Sequence, residues 1–380
     1  MAKDESPIRS ATREEYEEVT KFCGKIFRKN FVKLLPKIYK ERPINADHHY
    51  VYHDVRGNLR GSVASLPVRF CFGYNLLNAY GIGMVSTHPM TRGRGIMSRL
   101  MRFAIREAVA SGADLMFLSG MHQRYEHFGF SPVLPFMRGV ILKYNVARSG
   151  GKGTLPEDAI DFIKIKSDFK DMDRLYEIFE AQEAHAERDR DRFFDTLISW
   201  RAKAHAVTVS GEVKGYIITR HCGFTIDEIC LTESVSSADV IRAYFNKKHF
   251  GGMLFTKTPV WDKKQLAEVT TLSHQSELGV SANIKVLNFK RVIEVLLSHK
   301  AKTQKLVDGV LKMQIGDTKL QLIVKNDDVA VDNTTELCDI EVTDVEANYI
   351  LFSAVRRFDL HPLITAWFPL PFTVPHADNV

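Results

Sequence analysis

The pattern of apolar and polar positions is clearest between residues 76 and 130, where it predicts a strand, a turn, a helix and a second strand. Residues 76–87 are rich in small and β-branched side chains, which favours a strand. His88-Pro89 ends that strand, because proline donates no ladder hydrogen bond. Beyond the turn, apolar residues recur three and four positions apart and predict one buried helix face: Met97, Leu100, Met101, Ala104, Ile105 and Ala108. Residues 114–118 form a short apolar strand.

Strand and helix patterns alternate along the rest of the chain and predict an α+β protein of three domains. The first spans residues 1–145 and has residues 133–144 as its final strand. Residues 145–156 are rich in glycine, serine and lysine and indicate a linker. The second domain, 156–287, repeats the element order of the first without its glycine turn, and an unrelated α+β domain is the alternative for this region. The third, 288–380, ends in a proline-rich segment, which we expect to dock because it carries Trp367, Phe368, Phe372 and Val374.

Composition narrows the class of protein. The chain has 380 residues, of which 45% are hydrophobic and 26% charged, as is ordinary for a globular protein. It has no apolar run long enough for a membrane span, and its polar start, MAKDESPIRS, is not typical of a signal peptide. The net charge of +6 is diffuse, which argues against a nucleic-acid partner. Five scattered cysteines without a Cys-x-x-Cys pair indicate no disulfide framework and no metal site, so we expect a cytoplasmic protein.

The turn between strand and helix has the chemistry of a pyrophosphate site. Its residues, Arg92 to Gly95, would lie where the main-chain N–H groups of a helix N-terminus converge, and the helix dipole adds partial positive charge there. Glycines let a ligand approach the main chain, and arginines add charge-assisted hydrogen bonds. A P-loop is excluded because Gly-x-x-x-x-Gly-Lys-Ser/Thr is absent. A dinucleotide fingerprint is disfavoured, because Ser98 stands where its third glycine is required.

This stretch resembles the acetyl-CoA-binding core of the GNAT superfamily of N-acetyltransferases. The family signature Arg/Gln-x-x-Gly-x-Gly/Ala reads Arg92-Gly93-Arg94-Gly95-Ile96-Met97 here, with methionine in place of the usual small residue. A second landmark, Tyr-x-x-Phe-Gly-Phe, is Tyr125 to Phe130 and follows in the expected order. The resemblance implies acetyl-CoA as cosubstrate. It also implies that the following residues bind it: Val85, Ser86, Thr87, Arg92, Gly93, Arg94, Gly95, Ile96, Met97, Ser119 and Gly120.

The order and length of the parts resemble the enhanced-intracellular-survival (Eis) type of acetyltransferase. That resemblance implies tandem GNAT-like mixed-sheet domains, the second without its own cofactor site, and a C-terminal domain like sterol carrier protein. It implies a tail that brings the terminal carboxylate, here that of Val380, into the first domain as general base, with Tyr125 as general acid. It also implies a homo-oligomer, a hexamer in known members.

The predicted function is transfer of acetyl from acetyl-CoA to a primary amine, aminoglycoside-like or lysine-like, by direct attack in a ternary complex. A non-catalytic acetyl-CoA sensor or a lipid-binding protein on the same scaffold is the alternative. Tyr125 could instead be a packed aromatic, and Val380 an ordinary chain end. His88 and His122 flank the turn and could titrate near neutral pH, although a loop histidine is more often structural. The charged run 183–191 is expected to be solvated.

Overall fold

The computed structural model describes residues 7–40, 45–148, 155–248, 251–355 and 361–380. It divides into two compact units. The first unit comprises Met1–Val133, Ala282–Pro371 and Asn379–Val380. The second unit comprises Leu134–Ser281 and Phe372–Asp378.

The elements are numbered in chain order. The strands are β1 Arg9–Ser10, β2 His49–His53, β3 Leu59–Phe72, β4 Asn75–Thr87, β5 Leu115–Leu118, β6 Pro135–Leu142, β7 Ile160–Lys164, β8 Ala184–Ala186, β9 Lys203–Val209, β10 Glu212–Arg220, β11 Thr225–Leu231, β12 Met253–Pro259, β13 Gln275–Val280, β14 Asn283–Val286, β15 Gly309–Ile315, β16 Thr318–Lys325, β17 Asp328–Asn333 and β18 Ile340–Val342. The helices are α1 Tyr16–Phe27, α2 Phe31–Leu34, α3 Pro36–Tyr39, α4 Ile96–Ala110, α5 His122–Tyr125, α6 Lys143–Arg148, α7 Met172–Glu180, α8 Phe193–Leu197, α9 Ser237–Lys247, α10 Lys263–Leu272, α11 Phe289–Thr303, α12 Asp344–Phe352 and α13 Pro362–Trp367.

The first unit is built on a mixed sheet of order β1-β2-β3-β4-β5-β14. Strands β3 and β4 form a long antiparallel hairpin, and β5 joins β4 in parallel after the helix α4. Helix α4 packs closely on β3, since a Cβ atom on Gly61 would lie 2.8 Å from side-chain atoms of both Ile96 and Leu100. The predicted apolar face of α4 is confirmed, with Leu100, Met101 and Ala104 fully buried.

The predicted final strand of the first domain is wrong. Residues 135–142 form β6, which pairs antiparallel with β12 and β13 in the sheet of the second unit. In the first unit, β14 takes that place and pairs antiparallel with β5, from Asn283 opposite Leu118 to Val286 opposite Leu115. The apolar pattern predicts a strand at 133–144 correctly, but it carries no information about which partner the strand takes.

The second unit has its own mixed sheet, of order β13-β6-β12-β11-β10-β9-β7. Strands β11 and β12 are parallel and are joined through α9, as β4 and β5 are joined through α4. Apolar side chains from α9 and α10 form one core with this sheet, and side chains from α7 and α8 form another. The predicted linker begins as the helix α6, which includes residues 145–148, whereas residues 149–154 lie outside the described residues.

The C-terminal region of the first unit holds a smaller sheet of order β17-β16-β15-β18, preceded by the helix α11. The tail is docked, as predicted. In the first unit, Trp367 is fully buried and its indole Nε1 donates to the carbonyl of Val307 at 2.8 Å. In the second unit, Phe372 and Val374 are buried, and Trp261 Nε1 donates to the carbonyl of Phe372 at 3.0 Å.

Candidate active site

The predicted phosphate turn connects β4 to α4. Gly93 and Gly95 adopt φ angles of +77° and +73°, which the side chains of other residues disfavour. No atom lies within 4 Å of a Cβ placed on either glycine, so conformation and not crowding requires them. Gly95 is also the N-cap of α4, and no side chain caps that helix. The first-turn amides therefore have no intrahelical acceptor and remain available to a ligand.

The surroundings of this turn suit an anion. Arg92 and Arg94 are both exposed at the start of a 15-residue helix, whose dipole adds partial positive charge. The Ile96 side chain is buried in the core, so it can offer only its main chain to a ligand, whereas Met97 packs against the same apolar cluster but is only half-buried. This is an open, cationic turn whose first helical amides have no intrahelical acceptor, and it fits a diphosphate.

Strand β4 continues beyond its parallel neighbour toward this turn. Strand β5 ends at Leu118, opposite Ile82, whereas β4 runs on to Thr87. The register between β3 and β4 shifts in this stretch, and Met84 adopts φ +48°, a conformation that is strained for a residue other than glycine. Strand β4 therefore presents its last residues at the point where β5 has ended.

The residues predicted to bind the cofactor on β4 differ in accessibility. Val85 and Thr87 are half-buried, but Ser86 is fully buried, so only its main chain can contribute. The hydroxyl of Ser86 lies beside the thiol of Cys23, whose pKa burial raises to about 11. The thiol is therefore protonated at neutral pH and serves as an apolar filler behind β4.

The chain terminus lies against the same strand. A Cβ atom on Gly83 would lie 3.0 Å from the carboxyl carbon of Val380 and 3.2 Å from its oxygen. A Cβ atom on Gly81 would lie 2.5 Å from Val380 Cγ2 and 2.9 Å from Cζ of Phe117. The two glycines therefore make the space that the terminal valine occupies.

Two neighbouring residues at the end of β5 connect this terminus to the predicted acid. The hydroxyl of Ser119 donates to Oδ1 of Asn379 at 3.3 Å, and Asn379 is buried. The next residue, Gly120, faces the ring of Tyr125, since a Cβ atom on this glycine would lie 3.0 Å from Cε2 of the tyrosine. Tyr125 and the chain terminus thus flank the same end of β5.

Tyr125 is buried, with 8% of its surface exposed, and burial raises the pKa of its phenol above the ordinary value. Its ring makes an edge contact with Phe130 at a centroid distance of 6.5 Å. The turn that follows it is held by Asn348 of α12, whose Nδ2 donates to the carbonyl of Gly129 and to Oγ of Ser131, both at 3.3 Å. The tyrosine therefore sits protonated on a well-anchored segment.

The two candidate histidines take local roles. His88 Nδ1 accepts from the amide of Met90 at 3.3 Å, and its ring stacks on Phe22 at a centroid distance of 6.5 Å. His122 Nε2 lies 3.1 Å from the carboxylate of Glu126 one helical turn away. Both contacts organise the loops that bear them.

Sequence reasoning missed Gly81, Gly83 and Asn379. Two glycines in alternate positions, which point to the same face of a strand, were the available signal that something approaches that face closely. Arg188 was also missed, because it lies in a charged run that we expected to be solvated. It is buried in the second unit, where its guanidinium donates to the carboxylates of Glu228 and Asp378, each at 2.9 Å.

Within the described residues, no helix is both long enough and apolar enough to cross a membrane.

Residues 7–133 match the family model for an acetyltransferase (GNAT) domain. No curated protein matches the chain in sequence. Among solved structures, a GCN5-related N-acetyltransferase from Anabaena variabilis has 13% identity and a TM-score of 0.70, with 97% of this chain and 98% of that one covered. A probable N-acyltransferase from Enterococcus faecalis has 12% identity and a TM-score of 0.68, with 91% and 89% covered. Eis1 from Mycobacterium abscessus has 14% identity and a TM-score of 0.66, with 99% and 100% covered.

At these identities the structural matches speak for a shared fold, and the family model speaks for the domain that bears the glycine turn and the tyrosine. The chain thus carries a GNAT acetyltransferase domain in residues 7–133, within a whole-chain fold like that of Eis1, and the protein is an acetyltransferase.

Proposed function

We propose that the protein transfers acetyl from acetyl-CoA to a primary amine, with Val380 as general base and Tyr125 as general acid. The observation that carries this proposal is the position of the terminal carboxyl group, which lies against β4 at Gly83, where β5 has just ended. Strand β4 leads directly into the turn that we expect to bind the diphosphate. A carboxyl group held on this strand is therefore well placed for proton transfer.

Acetyl-CoA would be held by the turn and by the end of β4. The main-chain amides from Gly93 to Met97 and the guanidinium groups of Arg92 and Arg94 suit its diphosphate. The main chain of Val85 to Thr87 would hold the pantetheine arm, and its polar groups can polarise the thioester carbonyl. Ser119 and Gly120 directly follow β5, the parallel neighbour of β4. They would close the side of the pantetheine site that faces away from β4.

The carboxylate of Val380 would accept the proton that the acceptor ammonium loses. In water a carboxyl group with a pKa of about 3.5 is a poor base for an ammonium with a pKa of about 10. Desolvation raises the first value and lowers the second, which narrows the gap. The Val380 side chain lies against Gly81, near the buried ring of Phe117, and these apolar surroundings favour such desolvation.

The amine nitrogen then forms its bond to the acetyl carbon while the carbon–sulfur bond breaks. Tyr125 would donate its phenolic proton to the departing sulfur. A thiol has an ordinary pKa of about 8.5, against about 10 for tyrosine, and burial raises the tyrosine value further. The transfer is therefore uphill unless the sulfur is also desolvated, which makes enclosure of this site a requirement of the mechanism.

We propose that the rest of the chain also follows the Eis-type pattern. We assign residues 156–287 chiefly to a second GNAT-like domain without a cofactor site, and residues 288–380 to a domain like sterol carrier protein. The β11–α9–β12 arrangement supports the first assignment, and the small sheet with α11 supports the second. A hexamer is the assembly that this pattern predicts.

The test combines an acceptor screen with removal of the terminus. Purified protein is incubated with acetyl-CoA and a panel of aminoglycosides, lysine peptides and polyamines, and released CoA is detected as a thiol. We expect at least one amine to be acetylated, and we expect removal of Asn379-Val380 to lower kcat by at least about a hundredfold. Binding of acetyl-CoA without acetylation of any amine would favour a sensor, and full activity without the terminus would contradict the role of Val380.

A further inference from the structure

The contacts of the last two residues define a pocket for a terminal valine. We call it the valine socket, and it consists of Gly81, Gly83, Phe117 and Ser119. The methyl groups of Val380 approach Gly81 beside the edge of Phe117, and its carboxyl group lies at Gly83. Ser119 holds the side chain of the preceding residue, Asn379.

The socket recognises separate features of its occupant. Phe117 is fully buried and packs its ring on Phe70 at 5.9 Å, so the wall beside the isopropyl group is part of the core and is rigid. The absence of side chains at Gly81 and Gly83 admits the branched side chain and the carboxyl group, respectively. Such complementarity to a branched side chain and an adjacent carboxylate does not depend on a covalent link to the rest of the chain.

We infer that the valine socket is a binding site for N-acylated branched-chain amino acids and for peptide C-termini of that chemistry, which can replace Val380 in trans. This inference rests on the proposed function only for its activity readout, because binding to the socket can be measured separately. The tail normally keeps the socket filled, because binding of Val380 is intramolecular and a free ligand must compete with its high effective concentration. A free ligand is therefore expected to act at roughly millimolar concentration.

Steric exchange tests whether shape governs the socket. In Gly81→Ala the new methyl group would lie 2.5 Å from Val380 Cγ2, and Val380→Ala removes that atom. We expect Gly81→Ala to lower kcat at least tenfold and the double variant Gly81→Ala/Val380→Ala to recover part of the loss. The recovery is only partial because the new methyl group would still lie 2.9 Å from Cζ of Phe117. In the matched control, Gly83→Ala meets the carboxyl group itself, so Val380→Ala should not restore it. Equal recovery of both glycine variants, or of neither, would overturn the inference.

Rescue in trans is the decisive experiment. The chain that ends at Asp378 is assayed with acetyl-CoA and an accepted amine while N-acetyl-L-valine is added, and binding of the same compound is measured by calorimetry. We expect saturable binding and recovery of at least tenfold in kcat. N-acetyl-L-valinamide, which lacks the carboxylate, should bind without restoring activity, and N-acetylglycine, which lacks the isopropyl group, should need a higher concentration.

The outcomes separate the socket from the catalytic role. Binding without rescue supports the socket and contradicts the base role of Val380. If truncation abolishes activity and N-acetyl-L-valine neither binds nor rescues, the socket inference is wrong and the base role survives. If truncation leaves activity unchanged, the base role fails and calorimetry alone decides the socket.

Discussion

The helices α4 and α9 each connect two strands that are parallel to one another, and their N-termini differ in what contacts them. At α4 of the first unit, the N-cap is Gly95, no side chain caps the helix, and two arginines stand nearby. At α9 of the second unit, the hydroxyl of Ser236 accepts from the amide of Ala238 at 3.1 Å, and the carboxylate of Glu268 accepts from the amide of Ser237 at 2.6 Å. The N-terminus of α9 is therefore already paired with a carboxylate of its own unit, whereas the N-cap of α4 is a glycine that provides no such group.

The strands that precede these helices differ in the same way. Strand β11 pairs with β12 only at residues 225 and 226, and beyond that point Gln265 of α10 donates to the carbonyl of Ile229 at 3.3 Å. Strand β4 instead meets the terminal valine at Gly81 and Gly83. A similar β–α–β arrangement is thus contacted by side chains of its own unit at both places in the second unit, whereas in the first its helix begins at an uncapped glycine and its strand contacts the chain terminus.

Loss of the Tyr125 hydroxyl should have the largest effect on kcat. We expect this hydroxyl to protonate the departing sulfur, and we expect no residue of the second unit to take that role. Tyr125→Phe is expected to lower kcat by two to three orders of magnitude while acetyl-CoA affinity stays unchanged. Tyr144→Phe, which removes the hydroxyl of an exposed tyrosine in the second unit, is the control and should be neutral. Steady-state kinetics measure kcat, and calorimetry measures acetyl-CoA affinity. An unchanged kcat for Tyr125→Phe would show that Tyr125 is not the general acid.

Acid should destabilise both units, the first more than the second. Burial lowers the pKa of His49 and of His205 to about 4 each, below the unfolded value of about 6.5. Between these values the unfolded chain binds more protons, so stability is complete above pH 6.5 and is lost as the pH falls toward 4. The lowered pKa of fully buried His49 corresponds to about 3 kcal/mol in the free energy of unfolding, and that of partly exposed His205 to less.

Denaturant unfolding across this pH range, followed by a probe for each unit, gives the measurement. His49→Gln should flatten the dependence in the first unit and His205→Gln that in the second. A pH dependence that survives both substitutions would place its origin elsewhere.

A methyl group added at Gly95 should weaken acetyl-CoA binding, whereas one added at a glycine of similar conformation in another turn should not. Gly95→Ala introduces a side chain at φ +73°, and Gly211→Ala does so at φ +85° in a hairpin of the second unit, also with open space around the Cβ position. Each substitution costs about 1 kcal/mol in stability. Only Gly95→Ala should weaken acetyl-CoA binding, by roughly tenfold, because a distorted turn misaligns the amides. Equal affinities for the two variants would show that the turn is not the binding site.

Removal of the internal anion should have the smallest effect. Glu268→Gln weakens the hydrogen bond to the amide of Ser237 and is expected to cost about 1 kcal/mol of stability without changing acetyl-CoA binding. Thermal unfolding and calorimetric stoichiometry measure both quantities. A second equivalent of bound CoA in this variant would show that Glu268 alone keeps the second unit from binding the cofactor.

The sequence predicts the α4 region well because periodicity, glycine positions and proline all act locally there. Leu100, Gly93 and Tyr125 lie where the pattern and the resemblance indicate. The exchange of β6 and β14 between sheets was missed, because strand patterns specify a buried face and not a partner. Gly83 was missed because its requirement comes from Val380, which is distant in the chain. Arg188 was missed because its neighbours in sequence are charged, while its partners, Glu228 and Asp378, meet it only after folding.

A crystal structure of the protein with bound CoA would show whether the turn between β4 and α4 holds the diphosphate. We expect the diphosphate on the main-chain amides between Gly93 and Met97, with the pantetheine arm along β4 at Val85 to Thr87. A diphosphate bound at the N-terminus of α9, or a turn at Gly93 that stays empty while CoA binds elsewhere, would contradict it.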